Sequence, residues 1–502
     1  MTSTFTVEGG NPTELAMSKV SVQHNGLLSR PLDVPQPGAT LMSAPKKSPN
    51  SLFLTRENMV LATDLYQLTM MAAYLEFEMS EPATFELFVR RLPRHRAFLV
   101  SAGLEQCIQY LSELTFDGDD IDFLRAHEVF ANISGRFFER LRAWKFSGNV
   151  AGIPEGVPFF PNEAILQIRA PLFEAQLIET YLLSTINYQV SVASKAARVA
   201  MAAGDRTCVD FGSRRAHGPQ AGVYAARASY IGGMVATSNL LAGKLCGIPV
   251  TGTAAHAFTM ACPSEDEAFR RYHAAFPDHT TLLIDTYDTL RGAVRATHIS
   301  GELKGVRLDS GDLAQLSKEV RLILDAEGRD STRIVASGDL NEYKIRALLD
   351  EGAKIDAFGV GTEMVTSKDH PALGGVYKLV SRQVAGVEQA AMKLSPGKAT
   401  YPGIKQFWRE RDDVGRCVRD VMQLASTGAP SPRATPLLVP IFERGECVYS
   451  LPDITATRAR CQTEIASLPE SLLTIEGFGE YPVEVGADVS ELMVRLRAEV
   501  GE

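Results

Sequence analysis

From about residue 205 onward the chain alternates short β-branched runs with helix-like runs, and its polar residues fall just after the apolar ones. The runs are CVDFG (208–212), IPVTGT (248–253), TLLIDT (281–286), GVRLDSGD (305–312), RIVASGD (333–339) and IDAFGVGT (355–362). Amphipathic stretches such as LAQLSKEVRLILDAEG and NEYKIRALLDEG lie between them. The strand starts are spaced by 40, 33, 24, 28 and 22 residues. Strand–helix units of that size imply a parallel sheet with right-handed crossovers. In almost every unit the polar group follows the strand: Arg214–Arg215, His256, Asp285, Asp309 and Asp312, Asp339, Thr362. In a (β/α) barrel that edge is the C-terminal face, where sites are built from βα loops. An open doubly wound sheet concentrates its site at one switch point instead, so polar ends on six successive strands favour the barrel.

Upstream, the chain reads as mixed α/β. LATDLYQLTMMAAYLE has helical apolar spacing with Thr63 or Asp64 as its cap, TFELFVRRL (84–92) alternates like a strand, and SAGLEQCIQYLSEL (101–114) is an amphipathic helix. GNVAGIPEG and AILQIRAP suggest short strands, and the run beginning LFEAQLIETYLL is strongly helical. Residues 1–50, rich in Pro, Ser and Gly without a sustained period, are expected to be a disordered extension. At roughly 150 residues per domain, 502 residues allow about three domains, or one large barrel with additions.

Charge and cysteines narrow the function classes. Lys plus Arg number 51 against 60 Asp plus Glu, and the net charge of −9 argues against a nucleic-acid partner while leaving room for a local cationic pocket. Seven scattered cysteines without a CxxC pair argue against a disulfide framework or structural zinc. No stretch approaches 18 uninterrupted apolar residues, which excludes a membrane helix, and MTSTFTVEGG lacks a secretory signal's basic start and apolar run. A cytoplasmic protein is expected.

Each strand-end motif has a functional reading and a structural one. DFGSRRAHGP (210–219) sets Arg214 and Arg215 in a Gly-bounded turn suited to phosphate or carboxylate, or else to surface ion pairs. GTAAHAF (252–258) places Thr253 and His256 on a turn entering a helix; the histidine suits a base, a ligand, a nucleophile toward phosphate, or a structural hydrogen bond. GVRLDSGDL (305–313) joins Arg307 to Asp309 and Asp312. That set can meet an anionic ring while the acids hold Mg²⁺ or ribose hydroxyls, or it can be an internal ion pair with Asp312 as a helix N-cap. ASGDL (336–340) and GVGTE (359–363) offer Gly-rich turns whose backbone N–H groups could cradle phosphate, around Gly338 and Thr362. Tyr66 could stack on an aromatic ring, although an aromatic on an amphipathic helix is usually core.

Read in order, TDLYQLTM, FELFVRRLP, DFGSRRAHGP, TSNLLAGKLCGIPVTGTAAHAF, GVRLDSGDL, FGVGTEMVTS and GGVYKLV resemble the nicotinate phosphoribosyltransferases over residues 60 to 380. The resemblance implies an irregular (β/α) barrel of the type II phosphoribosyltransferase kind, plus a mixed α/β domain built from both flanks. The implied division is 1–50 extension, 51–170 first part of the α/β domain, 171–385 barrel, and 386–502 completing the composite domain. It further implies transfer of nicotinate to phosphoribosyl pyrophosphate, giving nicotinate mononucleotide and pyrophosphate in NAD salvage. ATP hydrolysis would be coupled through a phosphohistidine at His256, with Mg²⁺ required. Tyr66, Thr253 and Arg307 would address nicotinate; Arg214, Arg215, Gly338 and Thr362 the phosphoribosyl group; Asp309 ribose or Mg²⁺. A homodimer is implied, with Tyr66 reaching the partner's site.

The alternatives are a nicotinamide phosphoribosyltransferase, which typically carries RPDSG-like loops, and the shorter, decarboxylating quinolinate enzyme. A catalytically silent metabolite-binding barrel is disfavoured by the joint presence of His256, Arg307 and Thr362.

Overall fold

The computed structural model describes Leu52 and residues 54–394 and 400–499; the extension expected over 1–50 lies outside the described residues. Six strands form one all-parallel sheet: β1 (Thr207–Asp210), β2 (Ala236–Thr237), β3 (Thr281–Leu283), β4 (Gly305–Leu308), β5 (Arg333–Ala336) and β6 (Ala357–Val360), in the order β2-β1-β6-β5-β4-β3. Because successive side chains point to opposite faces, each strand splits into two sets. Cys208, Leu282, Val306, Leu308, Ile334, Ala336, Phe358 and Val360 are buried in one core with the flanking helices. Each fully buried Val, Ile or Phe of that set contributes on the order of 1.5–3 kcal/mol. The alternate set, which includes Thr207, Val209, Gly305, Arg307, Arg333, Val335 and Ala357, is left to the concave face.

The sheet is a half-barrel. Among the described residues no ladder joins β2 to β3. Segment 248–253, expected as a strand, makes a single bridge, Val250 to Thr237. Pro249 has no N–H to donate, so pairing stops at Thr237 N to Pro249 O and Thr251 N to Thr237 O, both 3.0 Å.

A seven-stranded sheet draws on both flanks. Pro82–Val89 lies between Ala164–Pro171 and Gly375–Val384, each antiparallel to it, and Val439–Glu443 pairs with Asn149–Gly152. The chain therefore leaves the barrel for this sheet at Gly375, ten residues before the expected boundary at 385. A separate four-stranded sheet is built from Lys405–Arg411, Cys417–Leu424, Ala434–Pro436 and Val483–Val485.

One buried charge cluster ties barrel loops to a long helix. On Glu179–Ala203, Lys195 Nζ lies 2.6 Å from Glu342 and 3.0 Å from Asp369, and Arg198 Nε lies 3.0 Å from Glu342. Arg96 reaches Asp369 at 2.7 Å. Glu342 begins the helix after β5, and Asp369 follows the turn after β6, so the cluster fastens two strand-end loops to the scaffold.

Candidate active site

The concave register of β4 carries Arg307 and then Asp309 to the strand ends. Arg307 is held on three sides: Nε donates to Ser337 Oγ (2.7 Å), Nη1 to Thr253 Oγ1 (2.8 Å) and Nη2 to Asp309 Oδ1 (2.7 Å). Its guanidinium sits 5.5 Å from the Phe211 ring centroid, and the side chain is only 14% exposed. A guanidinium has five N–H donors. Three are used here, leaving one on each terminal nitrogen, a fork matched to a carboxylate.

Asp309 is fixed just as firmly. Ser337 also donates to Asp309 Oδ1, and the Asp309 backbone N–H donates to Asp285 Oδ2 at 2.9 Å, an oxygen that also accepts from Ser310 Oγ at 2.7 Å. Burial alone would raise the Asp309 carboxyl; hydrogen bonds from Ser337 and Arg307 and the charge of Arg307 outweigh it and hold the group below the usual carboxylate range. His256 opens the helix His256–Ala261, its Nδ1 3.1 Å from Thr286 Oγ1 and its Nε2 3.9 Å from Asp309 Oδ2. The second nitrogen faces the acid from beyond hydrogen-bond range, leaving it open on the site side.

The phosphate-type loops lie against this cluster. Gly338 has φ +97°, and a Cβ there would stand 2.1 Å from the Asp309 carbonyl oxygen, so only glycine lets the loop after β5 approach so closely. Thr362 begins the short helix after β6, which packs on the turn after β1: a Cβ on Gly212 would lie 2.0 Å from Val365 Cγ1. That turn carries Arg214 and Arg215, both exposed and with no side-chain partner among the described residues.

Of the residues singled out in the sequence, Thr253, His256, Arg307 and Asp309 form one cluster, with Gly338 packed directly on it. Thr362 and the two arginines lie on adjoining turns. Tyr66 does not join them. It stands on the helix Leu65–Glu76, half-exposed, lining a separate cavity of about 440 Å³ with Tyr74, Phe85, Tyr377 and Lys378. Burial, then the charge of Glu179, pushes its hydroxyl up to about 12. Asp312 is a cap, accepting from Gln315 N at 3.0 Å at the start of Leu313–Ala326. Ser337, Phe211 and Thr286 belong to the site without having been singled out; two-residue spacing along β5 was the available signal for Ser337. Asp285, visible as a strand-end acid, keeps a buried Oδ1 with no hydrogen-bond partner among the described residues.

The chain matches three descriptions of one family: the nicotinate phosphoribosyltransferase N-terminal domain over residues 61–187, the nicotinate phosphoribosyltransferase family over 206–394, and the C-terminal domain over 429–493. It is 42% identical over 445 residues to a nicotinate phosphoribosyltransferase of Mycobacterium tuberculosis, covering 87% of this chain and 94% of that protein. It is 39% identical to the Bacillus subtilis nicotinate phosphoribosyltransferase, covering 89% and 98%. The crystal structure of human nicotinic acid phosphoribosyltransferase superposes with a TM-score of 0.77 at 30% identity, covering 86% and 99%.

Proposed function

Since this chain belongs to the nicotinate phosphoribosyltransferase family, we propose a role for each residue of the site in that reaction. The enzyme joins nicotinate to phosphoribosyl pyrophosphate, forming nicotinate mononucleotide and releasing pyrophosphate, a step of NAD salvage. The observation that carries the assignment is the Arg307 guanidinium, anchored by Thr253, Ser337 and Asp309 with two N–H groups still free.

Those two donors receive the nicotinate carboxylate, beside the Phe211 ring. Nicotinamide brings no charge to the fork and forgoes the bidentate charge-assisted pair, which sets the preference for the acid. Thr362 and backbone N–H groups around Gly338 hold the phosphoribosyl phosphate, and Arg214 and Arg215 supply cations with no side-chain partner among the described residues. Asp309 meets a ribose hydroxyl. As the glycosidic bond to pyrophosphate lengthens, positive charge develops at C1 and the ring nitrogen attacks; the chain's contribution is positioning and electrostatic stabilisation.

The residues present fit Mg²⁺. This ion commonly takes one or two carboxylates and completes its shell with phosphate oxygens and water. Asp285 Oδ1, buried with no hydrogen-bond partner among the described residues, and Asp309 Oδ2 would be its protein ligands. When bound, the ion neutralises charge on the departing pyrophosphate.

ATP coupling uses His256. Nε2 attacks the γ-phosphorus, the bond to the ADP oxygen breaks, and ADP leaves, while Thr286 steadies Nδ1. The chain acts as a homodimer. In the dimer Tyr66 of one protomer stacks on the pyridine ring in the other.

Purified protein with Mg²⁺ and phosphoribosyl pyrophosphate should convert radiolabelled nicotinate far faster than nicotinamide. Equal rates would overturn the carboxylate role of Arg307.

A further inference from the structure

The loops after β5 and β6 each hold a non-glycine residue in the left-handed backbone region. Asp339, directly after Gly338, has φ +46°, and Ser367, on the turn that follows the helix of Thr362, has φ +42°. A side chain in that region costs free energy, less for aspartate than for serine, and the conformation persists only where surrounding contacts over-determine it. Ser367 is buried, and its Oγ accepts from Arg96 Nη2 at 3.4 Å.

Shortly after each of these residues comes an acid of the buried charge cluster, Glu342 beyond Asp339 and Asp369 beyond Ser367. Lys195 Nζ bridges the two acids at 2.6 and 3.0 Å, and its side chain is 1% exposed. Each acid also has an arginine of its own. Arg198 Nε donates to Glu342 at 3.0 Å, and Arg96 donates to both oxygens of Asp369 at 2.7 and 3.1 Å. Arg96 stands 4.0 Å from Glu342, so Lys195 is the close link between the two loops.

We propose that Lys195 is a positioning residue for the phosphoribosyl group. Through Glu342 and Asp369 it holds the loops after β5 and β6 in the conformation that receives the phosphate, before substrate arrives. The inference rests on the reading of Thr362 and the Gly338 loop as the phosphoribosyl site. Desolvation offsets much of the attraction in a buried ion pair. What the bridge supplies is a fixed spacing between two loops that carry unfavourable backbone conformations. Ser337, which anchors Arg307, is held separately by its backbone N–H on the Leu308 carbonyl at 2.9 Å, so the ring-carboxylate site keeps its geometry without the bridge.

Lys195→Met tests this without orphaning a charge, because Arg198 and Arg96 still match the two acids one to one. If the competent loop arrangement falls to about a tenth of the population, KM for phosphoribosyl pyrophosphate rises about tenfold. KM for nicotinate should stay within about twofold, as expected for a site that shares no partner with Lys195. Loss of folded protein alone would lower apparent kcat and move neither KM. Hydrogen exchange on the wild-type enzyme adds a readout that needs no variant. With no ligand added, the amides of Ser367, Lys368 and His370, which donate to the carbonyls of Met364, Glu363 and Ser367, should exchange at least about a hundredfold slower than in the unfolded chain. Phosphoribosyl pyrophosphate should change that protection little, and Lys195→Met should lose most of it. Protection that appears only when phosphoribosyl pyrophosphate is added would overturn the proposal. So would equal rises in both KM values, or a folded Lys195→Met with the wild-type KM for phosphoribosyl pyrophosphate while Thr362→Ala raises it. A wild-type KM in Thr362→Ala would instead sink the phosphoribosyl reading of that loop, and the role of Lys195 with it.

Discussion

Arg307 Nη2 on β4 and Asp309 Oδ1 just past its end lie 2.7 Å apart, and Ser337 hydrogen-bonds to both side chains. The acid thus aims the cation instead of merely neutralising it, and two guanidinium N–H groups stay directed at the site. Lysine keeps the charge but has no planar fork. Arg307→Lys should raise KM for nicotinate by about 10- to 150-fold, the equivalent of about 1.5–3 kcal/mol for a charged hydrogen bond, and change KM for phosphoribosyl pyrophosphate much less. Steady-state kinetics with each substrate varied in turn would check it; equal losses for both would contradict the carboxylate assignment.

Gly338 tests the neighbouring loop. Its φ of +97° and the 2.1 Å approach of a built Cβ to the Asp309 carbonyl mean that any side chain must displace the loop after β5. Gly338→Ala should cost about 1–3 kcal/mol of stability, as expected for an L residue forced into that conformation. It should also raise KM for phosphoribosyl pyrophosphate more than KM for nicotinate. Thermal melts and kinetics on the same preparation separate the two effects.

Five of the six parallel strands were legible because each combined a β-branched run with a polar end. β2, two residues long at Ala236–Thr237, is too short to show any period. Segment 248–253 looked like a strand through Ile248, Val250 and Thr251, yet Pro249 removes a donor and pairing stops at one bridge. In GVRLDSGDL Asp312 was open to reading either as a site acid or as a helix N-cap, and its hydrogen bond from Gln315 N decides for the cap. Ser337 was hidden in a Gly-rich turn whose composition signals turn chemistry.

His256 separates ATP coupling from transfer. Its Nδ1 is engaged by Thr286, and its Nε2 stands 3.9 Å from Asp309. His256→Ala should abolish acid-labile, base-stable incorporation of γ-phosphate from labelled ATP and remove ATP stimulation. Basal transfer without ATP should persist within a few-fold, because the Arg307 anchors do not involve the imidazole. Retained ATP stimulation in the variant would place the phosphorylated residue elsewhere.

Glu163, buried beside Arg409 and Asp420, makes stability fall as pH rises. It is fully buried and accepts a hydrogen bond from the Phe160 N–H at 2.8 Å. Burial first, then the charge of Asp420, pushes its carboxyl well above the usual range, and Arg409 opposes them incompletely because it is paired with Asp420 at 3.0 and 2.6 Å. The folded-state pKa thus exceeds the unfolded one, near 4.3. Folding above that pH takes up a proton, so the stabilising contribution is full at lower pH and declines as pH rises, until it is gone once pH passes the folded pKa. Glu163→Gln retains the shape of the protonated acid without that uptake. Relative to wild type the variant should gain about 1.4 kcal/mol for each pH unit between the unfolded and folded pKa, read as a melting-temperature difference that widens as pH rises from the unfolded value. A difference that stays constant with pH would show that Glu163 is ionised in the folded protein.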